Sequence, residues 1–200
     1  MSVQTIAKIS ILGALAFLVM MFEIPLPFAP DFYKLGFDEV IVLIGGFALG
    51  PWAAVCIEAL KIALNLLIGG TITMGVGELT NFLIGLSFVL PATIIYQRDK
   101  TRKHALFGLI AGTICMTILG GLLNYFVMLP AYSYFMNLPL DRIIEFGHAV
   151  NPNINGLLAL VLMATTPFNV LKGVLCSIVV FLSYKKAVSY THLRAHETLS

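Results

Sequence analysis

The stretch ALFGLIAGTICMTILGGLLNYFVML, from Ala105 to Leu129, contains no charged residue. It exceeds the roughly 20 apolar residues that a helix needs to cross a bilayer. The rest of the chain has the same character: 59% of its 200 residues are hydrophobic and 11% are charged, whereas a soluble domain has about 25% charged residues. The composition excludes a soluble domain, a disordered chain and a nucleic-acid-binding protein, and it predicts a protein solvated by lipid.

Five other apolar runs flank this stretch: Ile6 to Ile24, Glu39 to Leu49, Trp52 to Ile68, Glu78 to Tyr96 and Ile154 to Tyr184. We therefore predict an all-α integral membrane protein with six transmembrane helices, the second of them short. We expect residues 1–188 to form a single domain. The connections are a proline-rich first loop at residues 25–38, a glycine-rich turn at 69–77 and a longer loop at 130–153, which begins where Pro130 is expected to end the fifth helix.

Residues 189–200 differ abruptly from the rest, since they are polar and follow no pattern. They resemble translated adapter sequence, so we expect a non-native tail and leave its histidines out of the functional interpretation.

Basic residues are distributed unevenly between the two ends of the predicted bundle. One end receives Lys8, the set Arg98, Lys100, Arg102 and Lys103, and then Lys185 and Lys186, whereas the other receives Lys34 and Arg142. Because short cytoplasmic loops carry an excess of Lys and Arg, both termini are predicted to be cytoplasmic. An even number of helices requires the same.

Charged and amide side chains inside the predicted helices are the candidate functional groups. A charge at the bilayer centre costs roughly 2.5–3.5 kcal/mol on insertion scales, so such residues are either used or paired. They are Glu58, Lys61, Glu78 and Lys172, accompanied by Asn65, Asn81, Asn124 and Asn169. If these faces point inward, helices three to six enclose a polar cavity. Alternatively, Glu58 and Lys61 neutralise each other, and Asn124 makes an interhelical hydrogen bond.

The first loop adds Phe28, Phe32, Tyr33, Leu35 and Phe37 beside the expected outer mouth. These side chains form either an interfacial aromatic belt or a lid that covers a flat ligand.

Small residues recur at helical spacing in two places. Gly108 and Gly112 suit packing within the monomer, whereas Ser10 and Ala14 on the first helix could instead meet another protein.

Catalytic and metal-binding patterns are not found in the sequence. The cysteines lie singly in apolar runs, and there is no Ser-His pair, HExxH or metal-ligand spacing. Amides and lysine instead suit a neutral, heteroatom-rich ligand. We therefore expect a binding protein rather than an enzyme, with no catalytic residue, metal or cofactor.

The order of four motifs resembles one known family, the riboflavin-specific substrate-binding (S) component of energy-coupling-factor (ECF) transporters. The motifs are EIPLPF after the first helix, LIGGFALGPW, GGTITMGVGELTNFLIG and PFNVLKG, and the resemblance covers about residues 6–186. It implies a six-helix fold with cytoplasmic termini in the cell membrane of a prokaryote. It also implies high-affinity capture of riboflavin, as the transported ligand, in a cavity that the first loop covers.

The resemblance further implies roles for individual residues. Asn124, Asn169 and Lys172 are expected to bind the polar parts of the flavin. Glu78 and Asn81 are assigned to the ribityl chain, Phe32, Tyr33 and Leu35 to the cover of the ring, and Lys61 is kept as a further candidate. Ser10 and Ala14 occupy the register of the family's docking face for the transmembrane coupling protein, which works with two cytoplasmic ATPases. This chain has no Walker motif of its own.

Three other hypotheses remain at this point. The chain could be an S component for another vitamin, a stand-alone ion-coupled carrier in which Glu58 and Lys61 titrate, or a structural membrane subunit without a ligand.

Overall fold

The computed structural model describes residues 1–26, 33–71 and 73–197, with side chains up to residue 183. The proposed ring-covering residue Phe32 lies outside the described residues, as does the end of the proposed tail. The backbone of the last helix extends to Glu197, and whether residues 189–200 are native stays a prediction.

The described part of the chain is a helical bundle with one small hairpin. Its helices are α1 (Val3–Met20), α2 (Asp38–Leu49), α3 (Pro51–Leu64), α4 (Val76–Arg98), α5 (Arg102–Leu123), α6 (Leu129–Phe135), α7 (Leu140–Val150), α8 (Leu157–Leu160) and α9 (Thr166–Glu197). Its strands are β1 (Ile24–Pro25) and β2 (Lys34–Leu35), which pair antiparallel.

Three π-helical turns continue the helices: Asn65–Gly69 after α3, Asn124–Met128 between α5 and α6, and Val161–Thr165 between α8 and α9.

Among the described residues, five helical segments are long and apolar enough to cross a membrane: Val3–Met20, Pro51–Gly69, Val76–Arg98, Arg102–Phe135 and Leu157–Ser183. The chain is therefore a multi-pass membrane protein. The twelve residues of α2 are too few for a full span, which agrees with the prediction of a short second helix. Six crossings and cytoplasmic termini stay predictions.

The short helix α2 begins and ends at clear local signals. Asp38 and Glu39 lie in its first turn, where negative charge is favourable because of the helix dipole. The helix is followed by the capping residue Gly50, whose φ of 98° is a conformation that glycine adopts without strain. Pro51 then opens α3 at a position where its missing N–H costs no hydrogen bond. The chain thus turns back sharply between the two helices.

Two predictions about the second half of the chain are wrong. Pro130 does not end the fifth helix, because it lies in the first turn of α6, which follows the π-helical turn directly. Residues 130–153 are not one long loop, since they contain α6 and α7. Helix α7 buries Ile143 and Gly147 at i and i+4 and carries polar residues on its other face. Because the segment contains several charged residues, it was expected to be a loop rather than an amphipathic helix.

The close packing of α4 against α5 depends on glycine. A Cβ at Gly108 would clash with the backbone of Ala92, and one at Gly112 with the carbonyl oxygen of Phe88. The structure thus confirms that these small residues pack within the monomer. Ser10 and Ala14, in contrast, are exposed on α1.

Gly112→Ala is expected to destabilise the protein by about 1–3 kcal/mol, because the added methyl group meets rigid backbone of α4. The matched control is Gly156→Ala, where a Cβ meets nothing within 4 Å. Thermal unfolding in detergent should show a lower midpoint for the first variant only. Equal midpoints for both variants would contradict the packing described for α4 and α5.

Candidate functional site

A cavity of about 280 Å³ lies at one end of the bundle. At this end α1 finishes, the π-helical turns follow α3 and α5, and α4 and α9 begin. Its walls are formed by Met20, Glu23, Tyr33, Lys34, Asn65, Thr73, Gly77, Glu78, Thr80, Asn81, Ile84, Asn124, Met128, Tyr132, Phe168, Asn169 and Lys172. The volume is close to the lower limit, roughly 300 Å³, of ordinary small-molecule pockets.

Six of the residues that the resemblance assigns to the ligand line this cavity: Tyr33, Glu78, Asn81, Asn124, Asn169 and Lys172. They come from the hairpin, α4, the second π-helical turn and α9, so the fold gathers positions that are distant in sequence. Their roles as ligand-binding groups stay predictions. Leu35 is buried in the hairpin and does not line the cavity.

Two amides of the cavity differ in their hydrogen bonds. Asn124 begins a π-helical turn, and its Nδ2 donates to the carbonyl oxygen of Gly120 at 2.8 Å. Asn169 is only 4% exposed, and within the described part of the chain its Nδ2 has no hydrogen-bond partner. Leaving such a donor unsatisfied costs about 1–3 kcal/mol. A ligand acceptor at this point would remove that cost.

The hairpin closes one side of the cavity. The Tyr33 hydroxyl hydrogen-bonds to Thr165 in the third π-helical turn, and the ring lies 5.1 Å from that of Phe168 between centroids. Burial raises the pKa of Tyr33 to about 12, so the hydroxyl stays neutral. These contacts favour the interpretation of Tyr33 as part of a cover rather than of a lipid-facing belt.

Two carboxylates contribute to the cavity wall. Glu78 accepts a hydrogen bond from Thr71 at 2.9 Å, which fixes the glycine-rich turn against the start of α4. Glu23 is exposed along part of its side chain, but partial desolvation of its carboxyl group raises its pKa above the ordinary value, and the nearby charge of Lys172 opposes that effect. Together with the amides and the lysine, these groups offer donors and acceptors to a neutral polar ligand.

Lys61 does not line the cavity and is instead the centre of a buried ionic cluster. Its Nζ lies 2.6 Å from Asp38 Oδ2, 3.0 Å from Glu39 Oε1 and 2.9 Å from Glu58 Oε1. Its side chain has no exposed surface. The structure thus places Lys61 among three carboxylates and not in the cavity wall, and a role for Lys61 in ligand binding stays a prediction. The alternative that Glu58 and Lys61 form a structural pair is the one that the structure supports.

Lys172 lies between this ionic cluster and the cavity. Its Nζ is 3.8 Å from Asp38 Oδ1 and 4.0 Å from Glu39 Oε1. Its side chain is 12% exposed and reaches the cavity wall.

Several cavity residues were not identified from the sequence. Apolar ones such as Met20, Met128 and Phe168 look like any other lipid-facing or core residue, so no signal distinguishes them. Asn65, in contrast, is among the polar residues expected from the sequence to face a cavity, although the resemblance assigns it no role, and it does line this one.

Comparison with known proteins gives a consistent result. The family model described as "ECF transporter, substrate-specific component" matches residues 4–184. The riboflavin transporter FmnP of Bacillus subtilis is 33% identical over 93% of both chains. The riboflavin transporter RibU of Staphylococcus aureus is 36% identical over 94% of this chain and 92% of its own.

A solved structure, described as the S component of a bacterial ECF transporter, superposes with a TM-score of 0.72 at 33% identity. The match covers 94% of this chain and 97% of the solved one.

Lys61→Met is expected to destabilise the fold by about 3–5 kcal/mol, because it leaves buried carboxylates without their counter-ion. The matched control is Lys8→Met, since Lys8 is exposed. Adding Glu58→Gln to Lys61→Met should restore part of the loss, because one unpaired charge is removed. Thermal unfolding in detergent measures all three, and an unaltered midpoint for Lys61→Met would contradict the ionic cluster.

Proposed function

The chain belongs to the substrate-specific components of ECF transporters, and from this premise we propose that its cavity binds riboflavin for uptake. It is a membrane transport protein, and its function is riboflavin uptake through an ECF transporter. The proposal that it catalyses no reaction and needs no cofactor follows from the same assignment.

The observation that carries the proposal is the unsatisfied amide of Asn169 in the same cavity that Lys172 and Asn124 line. An isoalloxazine ring is flat and apolar on its faces, and it carries carbonyl and nitrogen acceptors along one edge. Amide and ammonium donors suit such an edge. The relatives named as riboflavin transporters are 33% and 36% identical over nearly the whole chain, which supports this ligand over another vitamin.

We assign the remaining cavity residues by their position. Glu78 and Asn81 on α4 offer an acceptor and an amide to the hydroxyl-rich ribityl chain. Tyr33 and Phe168 offer aromatic surface to the ring. We do not assign Leu35 to the ligand, because it is buried in the hairpin and does not line the cavity.

The partners follow from the family. We propose that this subunit works with a transmembrane coupling protein and two cytoplasmic ATPases in the plasma membrane of a prokaryote. Ser10 and Ala14 lie exposed on α1, where close approach of another helix is sterically possible. They remain our candidates for docking the coupling protein.

Lys172→Ala is expected to weaken riboflavin binding by at least about 1.5 kcal/mol, the lower end for a hydrogen bond from a charged group. Quenching of riboflavin fluorescence by the purified protein measures the dissociation constant. Lys8→Ala, at the exposed start of α1, is the control and should bind like the unmodified protein. Unaltered affinity in a folded Lys172→Ala variant would remove this lysine from the site.

Displacement by other vitamins tests the choice of ligand. Excess thiamine or pyridoxine should leave bound riboflavin in place, because their smaller rings cannot satisfy the same set of donors. Displacement by either compound at concentrations comparable to riboflavin would contradict the assignment.

A further inference from the structure

The carboxylate of Asp38 lies between two lysines that serve different parts of the molecule. Its Oδ2 accepts a hydrogen bond from Lys61 at 2.6 Å. Its Oδ1 is buried, has no hydrogen-bond partner within the described part of the chain, and faces Lys172 Nζ at 3.8 Å. One oxygen of Asp38 is thus anchored in the ionic cluster while the other faces the cavity lysine.

Glu39 repeats this arrangement one residue later. Its Oε1 lies 3.0 Å from Lys61 Nζ and 4.0 Å from Lys172 Nζ. The first turn of α2 therefore presents two carboxylates to the ammonium group of Lys172.

These contacts to Lys172 are ion pairs without hydrogen bonds. An N–H···O bond joins atoms 2.7–3.2 Å apart, roughly, and both distances exceed that range. An ammonium group has three N–H donors, so the two carboxylates attract the charge of Lys172 without using those donors. The donors stay available to a group in the cavity.

The carboxylates are themselves held in place. Lys61 is fully buried and binds both of them together with Glu58. Gly36 leaves space for Asp38, because a Cβ at Gly36 would lie 2.6 Å from Oδ1. The positions of these oxygens are consequently determined by packing and charge on several sides.

We propose that Asp38, together with Glu39, is a positioning residue for Lys172: it holds the ammonium group at the cavity wall with its donors directed to the ligand. This inference rests on the proposed function, since it assumes that Lys172 contacts riboflavin. It gives Asp38 and Glu39, the two cluster members that face Lys172, a role in ligand affinity in addition to their role in folding.

A double-mutant cycle tests the coupling. Asp38→Asn, Lys172→Met and the combined variant are purified as full chains, and riboflavin affinity is measured by fluorescence quenching. Asp38→Asn should weaken binding about tenfold when Lys172 is present and less than about twofold in the Lys172→Met background. Glu58→Gln is the matched control, because Glu58 pairs with Lys61 and no ion pair joins it to Lys172 among the described residues. It should alter affinity less than about threefold.

A purely structural role predicts a different pattern. Asp38→Asn would then weaken binding by the same factor with or without Lys172, and Glu58→Gln would weaken binding as much as Asp38→Asn. Either result overturns the proposal. A cycle of Asp38→Asn with Asn124→Ala should be additive, and a coupling there as large as with Lys172 would also overturn it.

Folding is checked by size-exclusion chromatography and circular dichroism. If Asp38→Asn does not fold, Glu39→Gln replaces it in the same cycle with the same expectations. Failure of the unmodified protein to bind riboflavin would refute the proposed function, whereas binding with a fully additive cycle would refute only the positioning role.

Discussion

The ion pairs of Lys61 are the interaction on which the arrangement of the first half of the chain depends. They join α3 to the first turn of α2, and through Glu58 and Glu39 they lie against Gly85 of α4, where a side chain would clash with both carboxylates. Charges buried in a lipid-solvated bundle have no water to stabilise them, so they are stable only when they form ion pairs with opposite charges. The cluster therefore specifies that α2, α3 and α4 pack against one another, and it determines their relative positions along the bundle axis.

This constraint also explains where the cavity forms. Asp38 and Glu39 begin α2 just after the hairpin, so the ionic cluster lies directly beside the end of the bundle that carries the hairpin. Lys172 extends from α9 into the gap between the cluster and the cavity. The same carboxylates thus stabilise the bundle on one side and face the binding site on the other.

The sequence is sufficient to predict the membrane class, the positions of the long helices and the amide residues of the cavity, but not polar cavity residues such as Thr73, Thr80 and Tyr132. Intramembrane charges and amides are rare enough to be noticed, which is why Asn169 and Lys172 could be identified. Pro130 suggests the end of the fifth helix, but this prediction is wrong. The π-helical turn Asn124–Met128 leads directly into α6, which has Pro130 in its first turn. The burial of Lys61 could not be predicted, because its partners Asp38 and Glu39 are 23 and 22 residues away in sequence, at the junction of the first loop and the second helix.

The absorption spectrum of the protein, purified in mild detergent from cells grown with riboflavin, tests the central claim most directly. We expect the visible bands of oxidised flavin in stoichiometric amount, because a ligand held with sub-micromolar affinity, about −8 kcal/mol or better, survives washing. A colourless protein that also fails to quench the fluorescence of added riboflavin would contradict the assignment of the cavity to this ligand.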